Sequence, residues 1–264
     1  MSLKIRLLIG LVFAIMSLIS YYGSSSINPV TGEKQRISLS VEEETALGMH
    51  SAPQMAAQFG GLSKNQQSVA LVKKIGQQIV ERSPAGKSPY KFEFHLLADQ
   101  RTINAFALPG GQIFITEALL QLLRSPGELA GVLGHEIAHV VARHSAEHIA
   151  KQKLTQGLTG AAVMAADPSM QGAHMAQMVA GLINMRFGRK DELESDSLGL
   201  RWMAAAGYDP RALLGVMEVL EKSAGGGRQP EIFSTHPNPG NRAERIQAEL
   251  KNVFPAGVPE RLIK

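Results

Sequence analysis

Two histidines stand four residues apart, His135 and His139, in GVLGHEIAHVVARH (131–144), with Glu136 directly after the first. On an α-helix, positions i and i+4 lie one above the other on the same face. Both imidazoles can therefore reach one metal ion. Zinc takes such nitrogens at about 2.0–2.1 Å and, in a catalytic site, adds a third protein ligand and keeps one position for water. The metal lowers the pKa of that water, and Glu136 is close enough to take its proton. The chemistry implied is metal-assisted hydrolysis, with Glu136 as the base.

Helix phase sorts the other candidates. Read as one continuous helix from Pro126 to about Lys153, the segment turns His144 and His148 about 160–170° away from the His135–His139 face. Neither is then expected at the metal, and His144 falls near Leu133 and Ile137 in a structural role. A third histidine six residues after His139 is excluded, because that position is Ser145. The third ligand is sought in RKDELESDSLGLRWM (189–203). Glu192 and Asp196 share a helical face, whereas Glu194 lies about 200° from Glu192. Glu192 is assigned as the ligand and Asp196 as the group that holds a histidine ring by a hydrogen bond. Periodicity alone fits a solvated acidic face equally well.

The elements that must carry these residues are mostly helical. Ser125, Pro126 and Glu128 form an N-cap, a first-turn proline and a capping-box acid for the histidine helix. Ser40 followed by Glu42, Glu43 and Glu44 marks another helix start, within a segment (24–62) otherwise read as linker. Apolar positions at helical spacing fill residues 64–82. YKFEFHLL (90–97) alternates like a half-buried strand, and NAFAL (104–108) and QIFIT (112–116) flank Pro109-Gly110-Gly111 as a hairpin. Later helices are expected at about Arg189–Ala206, 209–223 and 242–251. The fold class predicted is α+β: a mostly helical domain with a small antiparallel sheet before the histidine helix. The Ala-, Gly- and Met-rich stretch 154–187, with Met164, Met170, Met175, Met178 and Met185, is read as a lid over the cleft or a core hairpin.

Composition bounds the rest. The chain has 264 residues, 44% hydrophobic and 19% charged, a globular balance. Its net charge of +4 is scattered without basic–aromatic alternation, which argues against nucleic acid as a partner. It has no cysteine, so any metal must sit on His, Asp or Glu, and no thiol nucleophile or disulfide is available. Lys4 and Arg6 precede an apolar run over residues 7–22 and then Gly23 and three serines, the layout of an export signal or N-terminal anchor. Residues 1–23 are therefore separated from a domain over 24–264 that is expected outside the cytoplasm, in a bacterial periplasm or facing it from the membrane.

HEIAH, Glu192-x-x-x-Asp196 and Thr235-His236-Pro237, together with NAFALPGGQIFIT before them, resemble the gluzincin zinc metallopeptidase family of CAAX prenyl proteases, HtpX and BepA-like peptidases. The resemblance runs from about Asn28 to Ile246. It implies one zinc on His135, His139 and Glu192, Glu136 as base, and His236 beside the metal as oxyanion stabiliser or inhibitory fourth ligand. It implies that the hairpin near Gly110, Gly111 and Ile113 pairs with an extended substrate strand, and that Arg242 or Arg245 helps hold substrate or oxyanion. The activity implied is a zinc metalloendopeptidase acting on protein or peptide substrates in quality control of exported or membrane proteins. The alternative is a chaperone or assembly factor whose zinc site is largely self-inhibited. Unlike the multi-spanning relatives, this chain has a single membrane-like segment.

Overall fold

The computed structural model describes residues 2–166, 185–224, 230–237 and 241–264. Met170, Met175 and Met178 lie outside them, as does the side chain of Met164, so most of the methionine lid reading falls beyond the described residues.

Helix α1 (Leu3–Gly23) carries exposed leucines and isoleucines along its length. Among the described residues it is the helix long and apolar enough to cross a membrane. One flank lies on helix α6 (His144–Ala166), where Gly157 lets the backbone close on Ser17: a Cβ there would stand 2.2 Å from the Ser17 hydroxyl. The following residues are not linker but a short antiparallel ribbon, β1 (Ser25–Ile27) with β2 (Lys34–Arg36). Asn28 shapes its turn by accepting from the amides of Val30 and Thr31 at 2.9 and 3.1 Å.

Helix α2 (Val41–Gln58) starts at the N-cap expected at Ser40, which also forms a capping box with Glu43. Helix α3 (Gln66–Glu81) buries Val72, Ile75 and Ile79 against the sheet and the central helix. The sheet comprises β3 (Glu93–Leu97), β4 (Ala105–Leu108) and β5 (Gln112–Thr116) in the order β3-β5-β4. The β4–β5 hairpin is antiparallel as expected, with Gly110 and Gly111 at positive φ in its turn. Strand β3, however, pairs parallel with β5, so the sheet is mixed. Its three strands present Phe94, Ala105, Ile113 and Ile115 to the main core.

Short helix α4 (Glu117–Leu122) leads into helix α5 (Pro126–Val141), which carries HEIAH and is buried at every position from Gly127 onward. Its N-terminus is held by Ser125, whose hydroxyl accepts from the Glu128 amide at 3.2 Å. The Glu128 carboxylate closes on the amide and guanidinium of Arg124 instead of on Ser125. Helix α5 ends at Val141, short of the continuous helix expected. Asn28 donates to the Val141 carbonyl at 2.7 Å and Gln35 donates to that of Ala142. These are carbonyls that a helix end leaves without partners. Arg143 then turns at φ 58 and α6 sets off in a new direction.

Helix α7 (Arg189–Ala205) crosses α5 and ends in Gly207 at φ 97, where the Tyr208 amide reaches back to Met203. Helices α8 (Ala212–Ala224), α9 (Ile232–Thr235) and α10 (Arg242–Val253) complete the wall around α5 and α7.

Candidate metal centre and its supporting shell

Two elements converge on α5. Helix α7 approaches at Gly134 and Gly199, where a Cβ on Gly199 would lie 2.9 Å from the His135 amide nitrogen. That approach brings Glu192 and Asp196 over the two histidines. The loop after α9 delivers His236, itself 2% exposed.

One donor atom from each of His135, His139, Glu192 and His236 falls within a 4.8 Å group. The Nε2 atoms of His135 and His139 lie 3.0 Å apart. Glu192 Oε2 stands 3.5 Å from His135 Nε2, and Glu192 Oε1 stands 3.4 Å from His139 Nε2. The Nδ1 atom of His236 is 3.3 Å from His135 Nε2 and 3.0 Å from Glu192. Four ligands at about 2.0–2.1 Å on a tetrahedral ion stand about 3.3 Å from one another. With Glu192 taken through Oε1 alone, four of these distances, from 3.0 to 3.4 Å, lie close to that edge length. Three imidazole nitrogens and a carboxylate are also donors that zinc accepts. The residues fit the metal implied by the sequence.

The surrounding groups fix this geometry. Asp196 stands 2.9 Å from His135 Nδ1, the orienting contact expected of it. Arg242 donates to both Asp196 oxygens at 2.6 and 2.7 Å and stands 3.1 Å from Glu192. Its fork is spent on the two carboxylates, so it braces the site rather than reaching toward a ligand. Arg245 is exposed and lines a separate cleft with Ser197 and Glu249 on the outer side of α7. That cleft is lined by Asp196 but by none of the four donor residues, so the structure does not bring Arg245 together with them.

Electrostatics follow from burial and pairing. Burial works against the Asp196 carboxylate, but the Arg242 charge outweighs it and holds the pKa down at about 2. Burial opposes charge on His135 too, yet Asp196 and Glu192 lift it to about 9. Burial drives His139 well below its ordinary value, which leaves it neutral. Burial pushes the Glu136 carboxyl upward. Its Oε1 lies 3.6 Å from His236 Nε2, and its Oε2 has no hydrogen-bond partner among the described residues. An orphaned carboxylate oxygen beside a metal-ligand cluster is where a water or substrate proton would be received.

The substrate edge read from the sequence needs correcting. Strand β5, which holds Ile113, is paired on both sides and offers no free edge. Gly110 and Gly111 serve close packing: a Cβ on Gly110 would lie 2.4 Å from the Thr45 Cα. The outer strands are β3 and β4, and β4 is the one that lines the cleft at His236. Phe106, Ala107 and Leu108 line a cleft of about 270 Å³ that ends at His236 and is walled opposite by Met185 and Phe187. The Phe187 ring also covers His139, with centroids 4.1 Å apart.

Two contributors escape sequence reasoning. His144 meets His139 through the Nδ1 atoms at 3.0 Å. Arg143, whose turn places it there, pairs with buried Glu44 and donates to Leu39 O at 3.0 Å. Two adjacent basic residues after the histidine helix are the one signal, and it is too common to be informative.

A buried HExxH helix, an acidic ligand from a second helix and a three-stranded sheet with one outer strand bordering the cleft define a zincin-type metallopeptidase domain. The chain belongs to peptidase family M48, which it matches over residues 64–250. It is 31% identical over 233 residues to mitochondrial metalloendopeptidase OMA1 of Schizosaccharomyces pombe, covering 87% of this chain and 68% of that one. It is 29% identical over 233 residues to the beta-barrel assembly-enhancing protease of Escherichia coli, covering 84% of this chain and 47% of that one. With the human mitochondrial OMA1 metalloendopeptidase it shares 29% identity over 259 residues, 92% of this chain and 49% of that protein. The chain thus spans about half the length of the last two.

Proposed function

We propose that the chain is a zinc-dependent endopeptidase, with His135, His139 and Glu192 as ligands and Glu136 as general base. The observation that supports this most directly is the near-tetrahedral spacing of the donor atoms beside an unpartnered Glu136 oxygen. Bound zinc supplies Lewis acidity, acidifying water and polarising the scissile carbonyl. The protein does the rest. An extended substrate lies along the outer edge of β4 and is held by backbone hydrogen bonds. Glu136 takes a proton from the attacking water and returns it to the leaving amine. Asp196 and Arg242 keep the first histidine in register, and Phe187 keeps bulk water from the second.

His236 occupies the fourth vertex, where a catalytic site keeps its open position. This favours a resting, self-inhibited form in which His236 withdraws when substrate enters. The exposed apolar face of α1 supports membrane attachment or export through residues 1–23, with the domain 24–264 outside the cytoplasm. The substrates that suit such placement are exported or membrane proteins. Zinc analysis combined with substrate trapping by Glu136→Gln tests the reading. Stoichiometric zinc lost in His135→Ala, and chains trapped by the Gln variant, are expected. A zinc-free protein sinks it.

A further inference from the structure

We propose that His144 is a positioning residue for the metal site, holding the second histidine ligand in its metal-binding tautomer while its own second nitrogen faces the Glu194 carboxylate. This rests on the zinc reading above and extends it to a residue that helix phase places on the wrong side of the molecule.

A histidine that binds a metal through Nε2 carries its proton on Nδ1 and needs an acceptor there. For His135 the acceptor is Asp196. For His139 the atom facing Nδ1 is Nδ1 of His144, at 3.0 Å, with the two rings nearly perpendicular at 74°. Only one tautomer of His144 answers: Nδ1 bare and accepting, Nε2 protonated. That second nitrogen faces Glu194 Oε2 at 3.5 Å and has no closer hydrogen-bond partner among the described residues. The Ser195 hydroxyl stands 3.4 Å from His144 Nδ1 and adds a lateral contact. The line therefore runs from the metal position through His139 and His144 to a carboxylate at the edge of the fold, 19% exposed.

The backbone supports the same assignment. A non-glycine residue at positive φ is uncommon and carries strain, and such strain gathers where geometry matters. Arg143 is the one described non-glycine residue at positive φ. Without that turn α5 would continue and carry His144 away from His139. The turn is fastened from outside by Glu44, itself held by the Tyr90 hydroxyl at 2.8 Å. A buried acid, a tyrosine and a strained arginine thus hold His144 under the ligand.

The test is zinc affinity measured by chelator competition on the full chain, beside the visible spectrum of the cobalt-loaded protein. His144→Phe keeps the ring and removes the acceptor. It is expected to weaken zinc by about 10–100-fold and to shift the cobalt bands. His144→Asn restores an acceptor oxygen and is expected to recover most of the loss. Wild-type affinity in His144→Phe overturns the proposal, and so does an Asn variant no better than Phe, which would mark a packing role. Should the Phe variant fail to fold, nitrogen NMR of zinc-loaded wild type decides: His144 bare at Nδ1 and protonated at Nε2 supports the assignment, and a proton on His144 Nδ1 overturns it. A wild-type protein that binds no zinc, or whose zinc survives His139→Ala, fails the metal reading itself and is distinguishable from either result.

Discussion

Gly199 of α7 touches the backbone of His135 in α5: a side chain on the glycine would begin 2.9 Å from the His135 amide nitrogen. The third ligand and the orienting carboxylate reach the histidines because these two helices meet without side chains between them. Gly199→Ala is expected to destabilise the fold by about 1–3 kcal/mol through overpacking and to weaken zinc by moving Glu192 outward. Thermal unfolding with and without zinc checks both. An unchanged zinc affinity would detach the site from the contact.

Glu136 accepts no hydrogen bond on Oε2 among the described residues and is fully enclosed. Glu136→Gln is expected to lower peptide cleavage by at least about 10²-fold while zinc content and melting temperature stay near wild type. Loss of zinc in that variant would mean that the side chain builds the site instead of serving it.

Metal uptake should release a proton. In the metal-free protein burial opposes charge on His135, but Asp196 and Glu192 raise its pKa to about 9. A histidine pKa raised on folding stabilises below its ordinary value near 6.5 and loses that contribution as pH rises through about 9. Tm of the metal-free protein is therefore expected to fall across that interval. Zinc requires the neutral ring, so calorimetry near pH 7.5 in buffers of different ionisation enthalpy should report about one proton released. No released proton contradicts the charged His135.

Arg242 and Arg245 lie three residues apart and should behave oppositely. Arg242→Met leaves Asp196 and Glu192 buried without their cation and is expected to destabilise by about 3–5 kcal/mol. Arg245→Met, on the exposed flank, should stay within about 0.5 kcal/mol. Denaturant midpoints compare them, and equal effects would remove the bracing role of Arg242.

Ala107 lies in outer strand β4, paired with Ile113 on its inner side. Residues 105 and 107 alternate with 104, whose carbonyl bonds to β5, so the Ala107 amide points outward. Ala107→Pro is tolerated at an edge but removes a donor for an added strand. Cleavage of an extended peptide should drop with zinc binding retained. Unchanged KM would place the substrate elsewhere.

Spacing along single helices carries much of the centre. His135, Glu136 and His139 follow from one short helical motif, whereas the shared face of Glu192 and Asp196 fits a solvated surface equally well until α7 is packed on α5. The end of α5 leaves no local trace, because its cap comes from Asn28 and Gln35, more than a hundred residues earlier. A phase calculation that assumes an unbroken helix therefore sends His144 to the far side. The parallel pairing of β3 with β5 is equally non-local, and without it β5 reads as an edge. Arg242 and Arg245 are indistinguishable by type, and only the packing of α10 buries one and exposes the other.

Residues 24–36 join the apolar helix α1 to the carbonyls that close α5, with the Ser24 carbonyl bound by the Ile37 amide and Asn28 and Gln35 on Val141 and Ala142. The apolar helix and the turn at Arg143 are thus linked in series, like a cord tied to a latch. A pull on α1, or a cut in those residues, is expected to be felt at Arg143 and so at the ring beneath His139.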